Sequence, residues 1–331
     1  MKILVIGGSG FIGTSLCSLL SKSKLDFLIY DKRKSLTFPY SCKVSDVRFL
    51  DHLRIGSRGT DVIVNLAAEH KDNVRPLSLY DEVNVGGAIN VCEVASLNKI
   101  NKIIFTSSVA VYGFAKPGTN ELGKINPFND YGRTKWEAEE VLKAWQQKDP
   151  LKRSVIIIRP TVVFGKNNRG NVYNLFRQIY SGKFVMVGDG QNRKSIAYVE
   201  NVAAFIKYSL NSKPGVHIYN YADKPDLSMN ALILLVKKIL GRSEKVQIHL
   251  PYWLGLIVGK VFDFIAFFLG KNFAISAIRV KKFCSNSVYE SVAKTPGFKA
   301  PFELADAIEE TVKYEFIESH SQKKRELFFS E

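Results

Sequence analysis

The stretch YGRTK places Tyr131 and Lys135 four residues apart at the start of a helical segment, on one face of it. A free phenol has a pKa of about 10 and is a poor base at neutral pH. An ammonium group held beside it favours the phenolate and lowers that value. So paired, Tyr131 could accept the proton of a substrate hydroxyl while a hydride leaves the same carbon. Upstream, TSSVAVYG supplies Ser108 at the end of an apolar run. Its hydroxyl could hold the reacting oxygen. A tyrosine four residues before a lysine is a common pattern, and a plain surface pair explains most instances. The catalytic reading depends on what else the chain carries.

The chain opens MKILVIGGSGFIG, an apolar run followed by Gly7, Gly10 and Gly13, spaced by three. Glycine at the turn allows a positive φ, and glycine at a helix start lets backbone N–H groups approach a pyrophosphate. The last glycine permits close packing of helix on sheet. A second run, DFLIYD, ends in Asp31, where an acid should accept the ribose hydroxyls of a bound dinucleotide. A tight turn and a solvated acid would account for the same letters, but not for the loop, the acid, Ser108 and Tyr131/Lys135 in this order. Asp31 repels a 2′-phosphate, so NAD is expected over NADP; Lys32, Arg33 and Lys34 soften that preference.

These residues need a scaffold. Five apolar runs, KILVIGG, DFLIYD, DVIVNLAA, KIIFTSS and SVIIIRP, alternate with helical patterns such as Tyr80 to Leu97 and Tyr131 to Gln146. Continuous apolar strands alternating with helices predict a parallel sheet buried on both faces. After Pro160 the rhythm breaks into a polar loop, a helix from Asn171 to Tyr180, a strand and helix in SIAYVENVAAFIKYSL, and a strand in GVHIYNYAD. From Ser228 onward helices dominate. The expected fold is α/β: a Rossmann-type doubly wound parallel sheet with a smaller, mainly helical C-terminal substrate lobe. Its expected boundaries are 1–162 for the dinucleotide domain, with 196–223 returning to it, and 163–195 plus 224–331 for the substrate lobe.

The four cysteines, Cys17, Cys42, Cys92 and Cys284, form no C-x-x-C pair, which fits a reducing compartment and no metal site. The N-terminus carries no signal-peptide pattern, so a cytoplasmic location is expected. Net charge is +16, which points to an anionic partner. From Leu232 to Ala300, eleven Lys and Arg face three acids, a net +8. A nucleic-acid role would fit the charge, but no basic and aromatic recognition motif accompanies it.

Together the glycine loop, Ser108 and Tyr131/Lys135 resemble the extended short-chain dehydrogenase/reductase superfamily, in its NAD-dependent epimerase/dehydratase branch. NLAAEH, VNVGGAINVCEVA, RPTVVFG and SIAYVENVAAF extend the likeness over nearly the whole chain. The resemblance implies catalytic roles for Ser108, Tyr131 and Lys135. It implies cofactor contacts from Gly7, Gly10, Phe11, Ile12, Gly13, Asp31, Asp46, Val47, Leu66, Ala67, Ala68, Tyr131, Lys135 and Pro160. It implies that Asn84 supports the active site and, with Ser108, lies toward the substrate, and that Asn171 and Arg193 grip its diphosphate. Dehydratases of the superfamily carry Thr-Asp-Glu where this chain has Ser108-Val109-Ala110, so no acid is present to eliminate water.

AAEHKDNVRPLSLYDEVNV, NRGNVYNLFRQI, YNYADKPDLSMN and RVKKFC look closely like a bacterial subgroup of 4-epimerases. That subgroup acts on N-acetylglucosaminyl-diphospho-undecaprenol in surface-polysaccharide assembly of the O-antigen type. The resemblance thus implies a lipid-linked diphospho-sugar as substrate, NAD as cofactor and a homodimer packed through Asn84–Leu97 and Gly132–Gln146. Two enzymatic alternatives stay open: 4-epimerisation of soluble UDP-N-acetylglucosamine, and an NADPH-dependent nucleotide-sugar 4-reductase. A non-catalytic NAD-binding scaffold is a third.

One stretch stands outside this pattern. Leu250–Gly270 has the length of a membrane span, but Pro251, Gly255, Gly259, Lys260 and Asp263 interrupt it. It is expected to be a helix or helix pair of the substrate lobe. Two readings stay open for it: a partly buried element of the lobe and nothing more, or an element with one face inward and the other, with Trp253, Phe264, Phe267 and Phe268, dipping into an anionic membrane surface on the inner side of the cell membrane.

Overall fold

The computed structural model describes residues 1–71, 74–243, 249–269, 276–291, 297–319 and 326–329. The strands are β1 (Lys2–Ile6), β2 (Asp26–Asp31), β3 (Cys42–Val44), β4 (Val62–Asn65), β5 (Lys102–Thr106), β6 (Ser154–Pro160), β7 (Val162–Phe164), β8 (Met186–Val187), β9 (Arg193–Lys194), β10 (Ile196–Tyr198), β11 (Gly215–Tyr221), β12 (Leu227–Ser228) and β13 (His249–Leu250). The helices are α1 (Phe11–Lys22), α2 (Leu50–Gly56), α3 (Ser78–Tyr80), α4 (Gly87–Leu97), α5 (Asp130–Gln147), α6 (Asn171–Tyr180), α7 (Val199–Ser209), α8 (Met229–Ile239), α9 (Tyr252–Leu269), α10 (Ala277–Cys284) and α11 (Leu304–Phe316). A π-helical turn, Asp81–Gly86, joins α3 to α4.

The five apolar runs become β1, β2, β4, β5 and β6, and with β3 and β11 they form one seven-stranded sheet in the order β11-β6-β5-β4-β1-β2-β3. Every pairing in it is parallel, with Ile3 opposite Phe27 on one side and Val62 on the other. Successive side chains of β1 go to opposite faces, as the period of two requires. Ile3 and Val5 meet Leu16 and Leu20 of α1 and Val202 and Ile206 of α7. Leu4 and Ile6 meet Val91 of α4 and Leu142 of α5. Both faces are thus covered, which is why these strands read as unbroken apolar runs. Each fully buried Ile, Leu or Val contributes roughly 1.5–3 kcal/mol.

A third apolar cluster lies outside the sheet. Phe176 and Ile179 of α6 pack with Ile233 and Val236 of α8 and Ile308 and Val312 of α11. The chain reaches it by two short excursions: β7 pairs in parallel with β10, and β9 pairs antiparallel with β12. No helix among the described residues is long and apolar enough to cross a membrane. Leu250–Gly270 supplies the end of β13 and one helix, α9, beginning directly after Pro251; the side chain of Phe267, and Gly270, lie outside the described residues. Glycine inside a helix costs about 1 kcal/mol relative to alanine. Here both interior glycines face a neighbour: a Cβ on Gly255 would lie 2.6 Å from Val187, and one on Gly259 2.7 Å from the Ala277 backbone.

Candidate active site

The loop between β1 and α1 is shaped by its glycines. Gly7 has φ +79°, and a Cβ there would lie 2.8 Å from the Ala67 backbone nitrogen. A Cβ on Gly13 would lie 2.5 Å from the Gly7 oxygen and from the Gly8 Cα, so no side chain fits. Gly10 precedes α1 with no side-chain cap, and the first turn of the helix, starting at Phe11 and Ile12, carries no acid. These are the conditions under which a helix N-terminus receives a phosphate. Thr14 has a buried hydroxyl without a hydrogen-bond partner. The loop and the orphan hydroxyl beside it fit a dinucleotide's pyrophosphate.

Asp31 ends β2 nearly buried, and both its oxygens hold backbone: Oδ2 accepts the Ser9 N–H at 2.9 Å and Oδ1 the Arg33 N–H at 2.9 Å. The acid therefore braces the glycine loop, and its remaining lone pairs can accept ribose hydroxyls. Lys32, one of the cations that follow it, pairs with Glu69 at 2.7 Å. Leu66, Ala67 and Ala68 follow β4, where the Leu66 N–H donates to Ile6 at 2.8 Å and so lies beside the loop. Asp46 is taken up by Arg48, whose Nε lies 3.1 Å from Oδ1 and Nη2 3.0 Å from Oδ2. Burial pushes the Asp46 carboxyl up, but those hydrogen bonds outweigh it and hold the carboxyl below its usual range. Val47 turns its side chain inward, and a Cβ on Gly87 would lie 2.9 Å from it. Pro160 is the buried end of β6, opposite Tyr221 of β11.

Asn129 caps α5, its Oδ1 accepting the Gly132 N–H at 3.0 Å, and this fixes the turn that carries Tyr131. One turn on, Lys135 is 1 % exposed, with its ammonium 4.1 Å from the centre of the Phe105 ring. Burial pushes the Lys135 ammonium down to about 7, against the opposing pull of the Glu139 carboxylate. Ser108 stands after β5 and caps a short 3₁₀ turn, its Oγ accepting the Ala110 N–H at 3.1 Å. Burial raises the Tyr131 phenol, and a hydrogen bond with Ser108 opposes the rise. Ser108, Tyr131 and Lys135 are therefore one cluster at the carboxyl ends of β5 and β6, where ligands bind in such sheets.

Asn84 ties this cluster to the cofactor side. It accepts the Glu69 N–H at 2.9 Å and donates to the Glu69 oxygen at 3.0 Å and to Thr134 Oγ1 at 2.9 Å. Thr134 precedes Lys135, so the strand end carrying Ala67 and Ala68 and the helix carrying the tyrosine are braced by one buried amide. Asn171 and Arg193 belong to other elements. Asn171 is the first residue of α6 and exposed; Arg193 is exposed in β9, with Nη1 3.4 Å from the Asp226 oxygen. The Arg193 N–H donates to Asn286 Oδ1 at 2.7 Å, which attaches it to the end of α10.

Sequence reasoning missed the layer beneath. Glu139, one further turn along α5 and fully buried, accepts Arg159 Nε at 2.9 Å and Nη2 at 2.5 Å, and Ser107 Oγ at 2.5 Å. Arg159 in turn donates to the Tyr112 hydroxyl at 2.6 Å, and that hydroxyl donates to Asn220 Oδ1 at 2.8 Å. The signal was present as Tyr131, Lys135 and Glu139 at successive intervals of four. Ser107, not Ser108, is spent on this network. The rim was also missed: Lys281 and Lys282 of α10 place their ammonium groups 5.0 Å and 4.6 Å from the Phe114 and Phe128 ring centres, and Phe128 lies three residues before Tyr131.

With this geometry in place, comparison with known proteins is informative. The model of the NAD dependent epimerase/dehydratase family matches residues 3–222. The N-acetyl-alpha-D-glucosaminyl-diphospho-ditrans,octacis-undecaprenol 4-epimerase of Escherichia coli O157:H7 is 47% identical over 334 residues, covering 100% of this chain and 99% of that protein. The UDP-glucose 4-epimerase of Vibrio cholerae is 28% identical over 278 residues, covering 79% of this chain and 82% of its own length. Among solved structures, the UDP-N-acetylglucosamine 4-epimerase from Bacillus cereus superposes with a TM-score of 0.74 at 18% identity, covering 94% of this chain and 98% of that one. At that identity the likeness speaks for the fold.

Proposed function

This chain belongs to the NAD-dependent epimerase/dehydratase family, and from that footing we propose that it is a 4-epimerase. It interconverts N-acetylglucosaminyl- and N-acetylgalactosaminyl-diphospho-undecaprenol through a 4-keto sugar. The observation that carries this is the Ser108–Tyr131–Lys135 cluster beside a glycine loop shaped for a dinucleotide, in a chain 47% identical end to end to an enzyme named for that reaction.

Gly7, Gly10 and Gly13, the N–H groups of Phe11 and Ile12, and Asp31 would hold NAD. When bound, NAD supplies the acceptor and then the donor for the hydrogen of C4. Tyr131 takes the proton of the C4 hydroxyl, and Ser108 donates to the oxygen that becomes the ketone. Lys135 supplies the positive charge that favours the phenolate. The keto sugar turns in the cleft while Arg193 and Asn171 hold the diphosphate, so binding energy remote from C4 retains the substrate between its two faces. On return, Tyr131 gives the proton back to an oxygen of inverted configuration. The cluster around α6, α8 and α11, with the segments 163–195 and 224–331, is read as the substrate lobe.

Three finer readings accompany this one. The product enters surface-polysaccharide assembly of the O-antigen type. The chain works as a homodimer through α4 and α5, a reading supported by the exposure of Ile89 and Leu97 on α4. It sits peripherally on an anionic membrane surface, which the net charge of +16 supports. The 4-reductase is a weaker reading, since Asp31, buried against the loop, disfavours NADPH. The soluble UDP-sugar is weaker because the identity to the lipid-linked epimerase is 47% over the full chain, against 28% to a UDP-glucose 4-epimerase.

Tyr131→Phe tests the mechanism. It is expected to keep NAD on the purified protein while cutting kcat by about 10²–10⁴-fold, the usual weight of a general acid–base group. A variant with wild-type turnover would refute the role of Tyr131.

A further inference from the structure

The cleft is bordered by a groove that the proposed chemistry does not use. It has a volume of about 740 Å³; Leu250, Pro251, Tyr252 and Cys284 form an apolar stretch of its wall, and Asp189 and Lys281 bring charge to the remainder, where Ser285 also lies. That is within the roughly 300–1,000 Å³ of ordinary ligand sites. One end adjoins the positions read as holding the diphosphate. Ser285 is next to Asn286, which binds the Arg193 backbone, and the Ser285 oxygen accepts Lys194 Nζ at 2.6 Å. Lys281 leans from the groove wall over Phe114 on the cleft rim.

The other end opens onto α9, whose first residue is Tyr252. Trp253, Ile257, Val261, Phe264 and Phe268 recur at intervals of three and four and so share one helix face. They are 63%, 50%, 51%, 65% and 67% exposed. The rotation of α9 is fixed from the opposite side. Gly255 and Gly259 lie against Val187 and Ala277, and Asp263 Oδ2 accepts the Ala277 N–H at 3.0 Å. A soluble helix ordinarily turns such residues inward. This one turns them outward, on the side of α9 away from Ala277 of α10.

A lipid-linked substrate has no nucleotide to anchor it, so its binding energy beyond the sugar and the diphosphate has to come from its chain. We propose that the groove binds the first isoprene units of the substrate's polyprenyl chain as they leave the diphosphate at Arg193, and delivers the rest of the chain along the apolar face of α9 to the bilayer. This rests on the reading of the substrate given above. A basic rim, an adjoining stretch of apolar wall and an exposed apolar exit occur in the order in which such a substrate presents headgroup, first isoprenes and tail.

The test is steady-state kinetics, without vesicles or detergent, on N-acetylglucosaminyl diphosphate esterified to a ten-carbon prenyl group and, in parallel, to methyl. The wild-type protein is expected to show a kcat/KM at least about tenfold higher for the prenyl ester, the effect of burying roughly two methylene groups. Cys284→Trp, which fills the groove, should bring that ratio toward one. Tyr252→Ser, at a half-exposed position where folding is not at stake, should lower it as well. Equal kcat/KM for the two esters in the wild type, or a wild-type ratio in both variants, would overturn the groove and leave the epimerase reading standing. Turnover of the UDP-sugar with neither ester converted would overturn the substrate reading, and the groove with it.

Discussion

Replacing Glu139 by Gln keeps the size of the side chain and removes its charge. Glu139 is 0% and Arg159 1% exposed, so neither can turn to water. The amide presents an NH₂ to one of the two Arg159 nitrogens at 2.9 Å and 2.5 Å, setting donor against donor. Arg159 is left with the Tyr112 hydroxyl at 2.6 Å and the Glu121 carbonyl at 3.3 Å, and no counter-charge at hydrogen-bond distance. Breaking a buried pair from one side costs about 3–5 kcal/mol. Against a typical total of about 5–15 kcal/mol that is a large share. Glu139→Leu with Arg159→Met removes both charges. It forfeits the bonds to Ser107, Tyr112 and Glu121, at about 1 kcal/mol each, and the looser ion pair of Glu139 with Lys143 at 3.9 Å, so it should still be less damaging than Glu139→Gln alone. Urea unfolding of the NAD-free proteins measures both. The same substitution removes the charge that opposes the fall of the Lys135 ammonium. In Glu139→Gln the alkaline limb of the kcat/KM profile should therefore move to lower pH. A single variant within 1 kcal/mol of wild type, or a double variant as costly as the sum of the two singles, would refute this account of the network.

Two further outcomes are expected. Gly13→Ala sets a methyl 2.5 Å from two backbone atoms, so the protein should lose about 1–3 kcal/mol and purify without nucleotide, read by release of NAD on denaturation. Gly86→Ala, whose Cβ would meet only the Asp81 oxygen at 3.6 Å, should do neither, and equal behaviour of the two would contradict the loop's role. Burial lowers Lys135 from 10.5 to about 7, so between those values the unfolded chain holds a proton that the folded chain has released. The contribution of this group to stability therefore rises with pH across that window, by at most about 1.4 kcal/mol per unit, and is lost as pH falls through 7. Lys135→Met should be more stable than wild type near pH 6.5, with the advantage shrinking by pH 9. A gap that does not change with pH would sink the argument.

The sheet was legible because burial on both faces leaves each strand an unbroken apolar run, and Ile3, Leu4, Val5 and Ile6 all find partners. The glycine loop was legible because its spacing is set by contacts, such as that of Gly13 with Gly7, that leave no room for a side chain. The ion pair was not. Glu139 and Arg159 lie on different elements, and nothing local says that a charged residue in an apolar strand will meet one on a helix. The outward face of α9 was half legible. One of the two readings of this stretch put the aromatics on an outward face, but nothing local said what would hold the helix in that rotation, and Lys260 and Asp263 served only to argue against a membrane span. In the structure Asp263 accepts the Ala277 N–H at the start of α10, and the described aromatics Trp253, Phe264 and Phe268 lie outside. β3, three residues long, gave no periodic signal.

The central claim is the substrate, and one incubation addresses it. Purified protein is given N-acetylglucosaminyl-diphospho-undecaprenol in vesicles and, separately, UDP-N-acetylglucosamine, with no cofactor added, and the sugar is released and identified. Conversion of the lipid-linked sugar to its galacto epimer, with the UDP-sugar left essentially untouched, is the predicted result. Conversion of the UDP-sugar alone would contradict it.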